Sequence, residues 1–159
     1  MKNKQIILAL ALGLLLSFSL CAQSVTDFSG AWIQDSGKSD GYYKNFDVKI
    51  VIAQTAQSFT VKQTFFDKTG KEMASRESGF ITDGKEVSKE EQGGINKESA
   101  SWSPDRKTLT TKSTRTVGTD VYGSSSTYSL SADGLVLTIT TSDINPFGPS
   151  IKQVFNKSK

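Results

Sequence analysis

The chain has 159 residues, of which 19 are Lys or Arg and 16 are Asp or Glu, giving a formal charge of +3. It contains no histidine, which excludes every Ser-His or Cys-His nucleophile and removes the commonest metal ligand. The charge is modest and no Lys/Arg cluster with interleaved aromatic residues occurs, so the composition argues against a nucleic-acid partner.

The first 22 residues have the organisation of a secretory signal peptide. Lys2 and Lys4 form a positive start, an apolar stretch runs from Ile6 to Leu16, and smaller residues follow. We expect cleavage after Ala22, which predicts a periplasmic or secreted protein. The apolar stretch is shorter than the ~20 residues of a membrane span, and no later stretch comes closer, so no membrane span is predicted.

The alternative fate of this segment is a lipid anchor on Cys21. Lipid attachment needs a small residue just before the cysteine, and Leu20 occupies that position, so simple cleavage is preferred. Cleavage after Ala22 removes the one cysteine and both N-terminal lysines, leaving 137 residues with a formal charge of +1. That length predicts a single domain over 23–159, which has to be stable without a disulfide.

The remaining chain is rich in Thr, Ser, Val, Ile and Phe, and it alternates between apolar and polar residues in short stretches. No stretch keeps the three- and four-residue apolar spacing of a helix. The alternation predicts strands at Asp27–Gln34, Asp47–Gln54, Ser58–Phe66, Glu72–Thr82, Lys85–Glu91, Asn96–Ser103, Thr108–Val117, Val121–Ser131, Leu135–Ser142 and Ser150–Asn156. Pro146, Phe147 and Pro149 predict an irregular loop before the last strand.

The turns between these strands follow a repeated spacing. An apolar residue stands three positions before an Asp, and another stands four positions after it. The copies are Phe80–Asp83–Val87, Trp102–Asp105–Leu109 and Leu130–Asp133–Leu137, with Ile52–Thr55–Phe59 as a looser one. Asp favours tight turns because its side chain bonds the nearby backbone, so each copy predicts a hairpin with both apolar residues facing one core.

Consecutive hairpins predict an all-β protein, an antiparallel meander closed into a β-barrel of about 8–10 strands, because closure removes the exposed edges. Alternation within the strands indicates one buried and one exposed face. The residues expected to share a face are Val48, Ile50 and Ile52, then Phe59, Val61 and Phe65, and later Leu135, Leu137 and Ile139.

The first predicted strand begins Asp27-Phe28-Ser29-Gly30-Ala31-Trp32. This F-x-G-x-W opening before a meander resembles the lipocalin and fatty-acid-binding-protein superfamily, and in particular small secreted bacterial lipocalin-like proteins. The resemblance implies that Gly30 allows close approach at the closed end of the barrel and that Trp32 plugs this end, with Phe28 as part of the motif. The stretch from Thr119 to Tyr122 is similar to the second lipocalin motif, with one residue inserted.

The sequence departs from the family where fatty acids bind. Fatty-acid-binding proteins hold the ligand carboxylate with an Arg and a Tyr on the last strand, and Gln153 and Phe155 stand at those places here. The late arginine that stacks on the lipocalin tryptophan is also missing, and Lys152 is the nearest cation. The segment Asp35–Phe46 is too short for the two-helix lid of fatty-acid-binding proteins. The resemblance therefore implies the fold and does not imply a fatty-acid ligand.

No arrangement of residues predicts catalysis, and no cofactor or metal site is predicted. The aspartates at 83, 105 and 133 are explained by turn geometry, because they lack the spacing of a calcium loop. Glu90 and Glu91 could each pair with another acid for glycoside hydrolysis, but a sequence does not give the separation of the two carboxylates. A solvated strand end explains both glutamates.

One polar row predicts a binding site. Counting by two from Leu130 places Tyr128, Ser126, Ser124 and Tyr122 on one face, and counting from Leu109 places Thr111, Ser113 and Arg115 on the face of the preceding strand. If Leu109 and Leu130 face inward, Arg115, Tyr122, Ser124, Ser126 and Tyr128 line a small polar pocket. The alternative is a bulge near Gly123 that turns the row to solvent.

The sequence thus predicts a lipocalin-like protein that binds a small molecule without catalysis. The alternatives are a structural or interaction protein whose barrel is filled by side chains, and a carboxylate-based hydrolase. A cavity larger than about 300 Å³ favours ligand binding. The sequence predicts neither the ligand nor the oligomeric state.

Overall fold

The computed structural model describes residues 24–41, 45–144 and 149–158. The expected signal segment, with Cys21 and the cleavage point after Ala22, lies outside these ranges. Pro146 and Phe147 of the predicted loop lie outside them as well, and Pro149 is in irregular structure.

The described residues form ten antiparallel strands, as the sequence pattern predicts. They are β1 (Gly30–Gln34), β2 (Asp47–Gln54), β3 (Ser58–Phe66), β4 (Glu72–Ile81), β5 (Val87–Glu91), β6 (Gly94–Trp102), β7 (Thr108–Val117), β8 (Asp120–Leu130), β9 (Val136–Asp143) and β10 (Ile151–Lys157). The predicted bounds of β2, β3 and β7 are confirmed to the residue, and the others differ by one to three residues at an end.

All ten strands belong to one sheet with the order β4-β3-β2-β1-β10-β9-β8-β7-β6-β5. Two meanders, β1 to β4 and β5 to β10, are joined through the pairing of β1 with β10, where Trp32 lies opposite Lys157. The sheet curls so far that Phe59 of β3 reaches Tyr128 of β8, with ring centroids 4.9 Å apart. Among the described residues no hydrogen-bonded ladder joins β4 to β5, so the sheet is barrel-like and keeps two edges.

The hairpin predicted at Asp83 is therefore wrong. Phe80 packs against the core, but Val87 pairs with Glu98 of β6 and is 39% exposed. The connection after β4 instead crosses to β6, where the Gly84 backbone N–H donates to the Ala100 carbonyl at 3.0 Å. The Asp83 carboxylate still accepts the Lys85 N–H at 2.9 Å, so the local turn forms while the strand pairing does not.

The inward faces of the strands change from apolar to polar along their length. At the end that carries the turns 55–57, 103–107 and 131–135, which we term the packed end, the inward side chains form most of the core. Its members are Phe28, Trp32, Val48, Ile50, Ile52, Phe59, Val61, Ala100, Leu109, Tyr128, Leu137, Ile139 and Phe155. Toward the turns 67–71, 92–93 and 118–119, which we term the polar end, the inward positions of β7 and β8 carry hydroxyl and charged groups, whereas Val48 of β2 and Phe65 of β3 are apolar.

The connection between β1 and β2 runs beside β10 where it is described. The backbone N–H groups of Asp35 and Asp40 donate to the carbonyls of Val154 and Lys152, at 2.8 and 2.7 Å. The buried Ser39 hydroxyl accepts the Val154 N–H at 3.0 Å, which fixes this segment to the strand. The described part of the connection is therefore held against β10 by hydrogen bonds.

Candidate ligand-binding cavity

Four aromatic side chains form a floor across the interior. Tyr128 makes edge contacts with Phe59 and Phe28, whose ring centroids lie 4.9 and 6.3 Å away, and Phe28 stacks on Trp102 at 5.8 Å. Below this floor the packed end is filled by fully buried side chains, including Trp32 and Phe155. The floor therefore closes the interior toward the packed end.

A cavity of about 370 Å³ lies above the floor. Its wall combines apolar residues near the floor with polar residues nearer the polar end. The lining residues are Ile50, Val61, Gln63, Arg76, Ser78, Phe80, Thr111, Ser113, Ser124, Ser126, Tyr128, Ile139, Thr141, Asp143, Ile151 and Gln153. The volume lies within the ~300–1,000 Å³ usual for small-molecule sites.

Hydroxyl groups cover the wall formed by β7, β8 and β9. The Ser126 and Thr141 hydroxyls are 2.9 Å apart across the β8–β9 pair, and Thr111 donates to the Ser126 carbonyl at 3.5 Å. Burial raises the pKa of the Tyr128 phenol, while a hydrogen bond with Thr111 and the positive charge of Arg76 oppose this shift. Tyr128 is therefore a neutral hydrogen-bonding group at physiological pH.

Tyr128, Ser124 and Ser126 of the predicted site lie on the cavity wall. The β7–β8 register runs without a shift past Gly123, which lies opposite Thr114, so the bulge considered as an alternative is not present. Gly123 has φ +156°, and a Cβ there would collide with the Ser113 carbonyl oxygen and approach the Thr114 Cα to 2.8 Å. The glycine thus allows the two strands to approach closely, and it does not invert them.

Arg115 and Tyr122 share the inward face but do not line this cavity. They lie opposite each other near the end of the β7–β8 pair, and Tyr122 is 57% exposed. The Arg115 guanidinium bonds the Asn96 side chain at 3.2 Å and the carbonyls of Glu91 and Gln92 at 3.2 and 3.3 Å. Its donors are occupied by the β5–β6 hairpin, so the prediction that Arg115 lines the pocket is not met by the geometry.

Arg76 was not among the predicted site residues, and it places a cation on the described cavity wall. Its Nε and Nη2 both donate to Gln63 Oε1, at 3.0 and 2.9 Å, and the guanidinium lies 5.0 Å from the centroid of the Phe65 ring. Within the described ranges no carboxylate forms an ion pair with Arg76. Counting by two from Phe80 would have placed Arg76 on the inward face.

Gln153 supplies a polar group without a partner. It is 6% exposed and lines the cavity, and in the described part of the chain its Nε2 has no hydrogen-bond partner. Phe155, at the other position compared with the fatty-acid clamp, is fully buried in the core. A buried amide donor without an acceptor costs about 1–3 kcal/mol, which a ligand acceptor would offset.

At the packed end, Gly30, Trp32 and Lys157 form one unit. Trp32 is fully buried and its Nε1 donates to the Phe28 carbonyl at 3.0 Å. Lys157 Nζ lies 5.2 Å from the centroid of the Trp32 ring, so Lys157, and not Lys152, is the cation that covers this ring. Gly30 has φ +130°, and a Cβ on it would lie 3.3 Å from Lys157 Cε, so this glycine leaves room for the lysine.

The acids considered for hydrolysis do not converge. Glu90 and Glu91 are consecutive residues of β5 opposite Ile95 and Gly94, so they point to opposite faces, and Glu91 accepts a hydrogen bond from Asn96 at 3.0 Å. Across the described residues no group of three His, Cys, Asp or Glu side chains is placed to hold a metal ion. The same residues include no helix long and apolar enough to cross a membrane.

The strands and the cavity define a barrel-like fold of ten antiparallel strands with an interior cavity. Solved structures share this architecture. The REP1-NXSQ fatty acid transporter aligns with a TM-score of 0.58 at 11% identity, over 84% of this chain and 97% of the transporter. A secretary abundant heat soluble protein from Ramazzottius varieornatus aligns with a TM-score of 0.54 at 10% identity, over 86% of this chain and 98% of that one. No family model and no curated protein sequence matches the chain, so these likenesses show the fold alone.

Proposed function

We propose that the chain is exported, loses its first 22 residues, and binds a small molecule inside its barrel-like sheet without transforming it. The observation that carries the proposal is the unfilled space of about 370 Å³ above the aromatic floor. A protein that used only its outer surface would have no need of buried polar groups around an empty interior, since such groups cost stability. Gln153 is one such group, because its Nε2 lacks a partner within the described chain.

The proposal is restricted to binding because of the side chains available. The chain has no histidine and, beyond Ala22, no cysteine, so it lacks the side chains that most often transfer protons or attack carbonyls at neutral pH. The cavity wall carries one carboxylate, Asp143, whereas glycoside hydrolysis needs a pair. Recognition by hydrogen bonds remains as the chemistry that these residues support.

A matched pair of variants tests binding inside the sheet. Ser124→Phe places an aromatic ring in the cavity, while Ser125→Phe, one residue later on β8, places it on the outer face. Protein purified from its own host is examined by native mass spectrometry. We expect a co-purifying small molecule with the natural chain and with Ser125→Phe, and its loss with Ser124→Phe. Empty spectra for all three, or equal occupancy of both variants, would contradict the proposal.

The same spectra test export. Cleavage after Ala22 gives a chain that begins at Gln23 and carries no lipid. An added acyl mass on a chain that begins at Cys21 would instead identify the lipid anchor, and retention of all 159 residues would overturn export.

A further inference from the structure

We propose that the ligand is a small hydroxylated carboxylic acid, of the size and kind of a sugar acid, whose carboxylate binds Arg76. This inference rests on the proposed binding function and names the class of ligand. It depends on the donors, acceptors and apolar surfaces that surround the cavity.

Arg76 is prepared to receive an anion. Arg76 is an exposed residue of β4, and two neighbours orient its guanidinium: Gln63 Oε1 accepts hydrogen bonds from Nε and Nη2, and the Phe65 ring lies 5.0 Å away. No acidic side chain of the described residues neutralises it by an ion pair. A guanidinium fork matches the two oxygens of a carboxylate, which favours this group as its partner.

The opposite wall favours a ligand with one negative charge and several hydroxyl groups. Asp143 lines this wall, where a carboxylate can accept hydrogen bonds from hydroxyl groups and disfavours a phosphate, which carries nearly two negative charges. Gln153 Nε2 needs an acceptor, which a hydroxyl or ring oxygen supplies. The remaining polar wall consists of hydroxyls that donate and accept, contributed by Ser78, Thr111, Ser113, Ser124, Ser126 and Thr141.

The floor limits the apolar part of the ligand. Tyr128, Phe59 and Phe28 close the interior, and the space beneath them is filled by core side chains. A long acyl chain has no apolar channel to enter. The Tyr128 ring and the side chains of Val61 and Ile139 offer a shallow surface that suits one face of a small ring.

Isothermal titration calorimetry tests the class. The probes are D-glucuronate, D-galacturonate and D-gluconate as hydroxylated acids, D-glucose as their neutral counterpart, and palmitate. We expect at least one acid to bind about tenfold or more tightly than glucose, since a hydrogen bond to a charged group is stronger than one between neutral groups, and we expect no binding of palmitate. Glucose or palmitate binding as tightly as the acids would overturn the inference.

Two arginine variants locate the carboxylate. Arg76→Gln removes the cation from the cavity, and Arg106→Gln removes the same charge from the exposed β6–β7 turn. We expect Arg76→Gln to weaken binding of the acid about tenfold, and Arg106→Gln to leave it unchanged. Equal loss in both variants, or none in Arg76→Gln, would assign the carboxylate elsewhere and overturn the inference.

Failure of this inference is separable from failure of the binding function. If none of the five probes binds but the natural chain still carries a co-purified molecule that Ser124→Phe lacks, the cavity binds a ligand of another class. If the natural chain is also empty, both proposals fall.

Discussion

Single residues decide how the two ends of the interior differ. At the packed end, Gly30 yields space to the Lys157 chain, and the lysine covers the buried Trp32 ring. At the cavity, Gln153 leaves a donor unused while Arg76 is oriented by Gln63. The first group fills the packed end, whereas the second leaves hydrogen-bonding capacity unused on the cavity wall.

Replacing Gly30 tests the packed end. In Gly30→Ala the φ of +130° is unfavourable for alanine, and the new Cβ would press on Lys157 Cε at 3.3 Å. We expect a loss of about 1–3 kcal/mol in the free energy of unfolding, measured by urea denaturation. Gly79→Ala is the control, because its Cβ would meet only Thr60 Oγ1 at an ordinary 3.7 Å. Equal stability of the two variants would show that Gly30 is not required by its conformation.

Replacing Gln153 tests the cost of the unused donor. Gln153→Met keeps the length of the side chain and removes Nε2, which lacks a partner in the described chain. We expect the free energy of unfolding of the ligand-free variant to be ~1 kcal/mol higher than that of the natural chain. We expect its affinity for the acid to be lower. A variant that loses stability would indicate that the amide is satisfied in solution.

Residue roles were predictable from sequence where they depend on local alternation. Tyr128 and Ser126 were placed on the inward face by counting from Leu130, and the register agrees. Arg115 was placed on that face too, but its side chain is occupied by the carbonyls of a neighbouring hairpin. Alternation gives the face of a side chain and does not give its partners, which come from strands elsewhere in the sequence.

At the scale of elements, two hairpins repeat one hydrogen-bond pattern. Ser103 and Ser131 donate to the carboxylates of Asp105 and Asp133 at 2.6 and 2.5 Å, and each serine oxygen accepts an N–H from the strand that follows. These serine bonds, with backbone N–H bonds next, hold the pKa of each carboxyl below its usual 3.8. The repeated Asp positions of the sequence are therefore explained by turn formation.

These turns predict an acid-sensitive stability. A carboxyl whose folded pKa is lowered contributes stability above its unfolded pKa, and this contribution is lost as pH falls below about 3.8. We expect the double variant Asp105→Asn/Asp133→Asn to have a lower Tm than the natural chain at pH 7 and to lose less Tm between pH 5 and pH 2. This pH range spans the usual aspartate pKa of 3.8 on both sides.

The matched control for this experiment is Glu72→Gln/Glu77→Gln, which removes two exposed carboxylates of β4 outside the turns. We expect its Tm to fall with acid as steeply as that of the natural chain. Parallel acid profiles for the turn variant and this control would rule out the serine–aspartate bonds as a source of the acid sensitivity.

At the scale of the whole molecule, the pairing of β1 with β10 and the break between β4 and β5 were not predictable from the sequence. Both features depend on which strands pair when they are far apart in the sequence. The sequence pattern predicts pairing only between strands that follow each other in the chain. The turn at Asp83 resembles the two true hairpins in its residues, and the difference lies in Gly84, which bonds Ala100 of β6. The volume of the cavity depends on the curvature of the whole sheet, so it could not be predicted from the sequence either.

The two free edges predict an uneven distribution of local stability. Every residue of β4 except Phe80 is exposed, as is every residue of β5, whereas Gln153, Val154 and Phe155 in β10 are buried between two neighbouring strands. Strands with few buried contacts open at lower free energy. We therefore expect the amides of β4 and β5 to exchange with deuterium about tenfold or more faster than those of β10, measured by mass spectrometry of peptic peptides.

Ligand binding should change this distribution in one place. Arg76 lies on β4, so an acid that binds it links this edge strand to the wall that carries Gln153 and Asp143. Saturating D-glucuronate, or whichever tested acid binds tightest, should slow exchange in β4 but leave β5 unchanged, because no residue of β5 lines the cavity. Arg76→Gln should abolish the protection of β4. Protection that appears equally in both edge strands would mean that the ligand closes the break itself and does not act through Arg76.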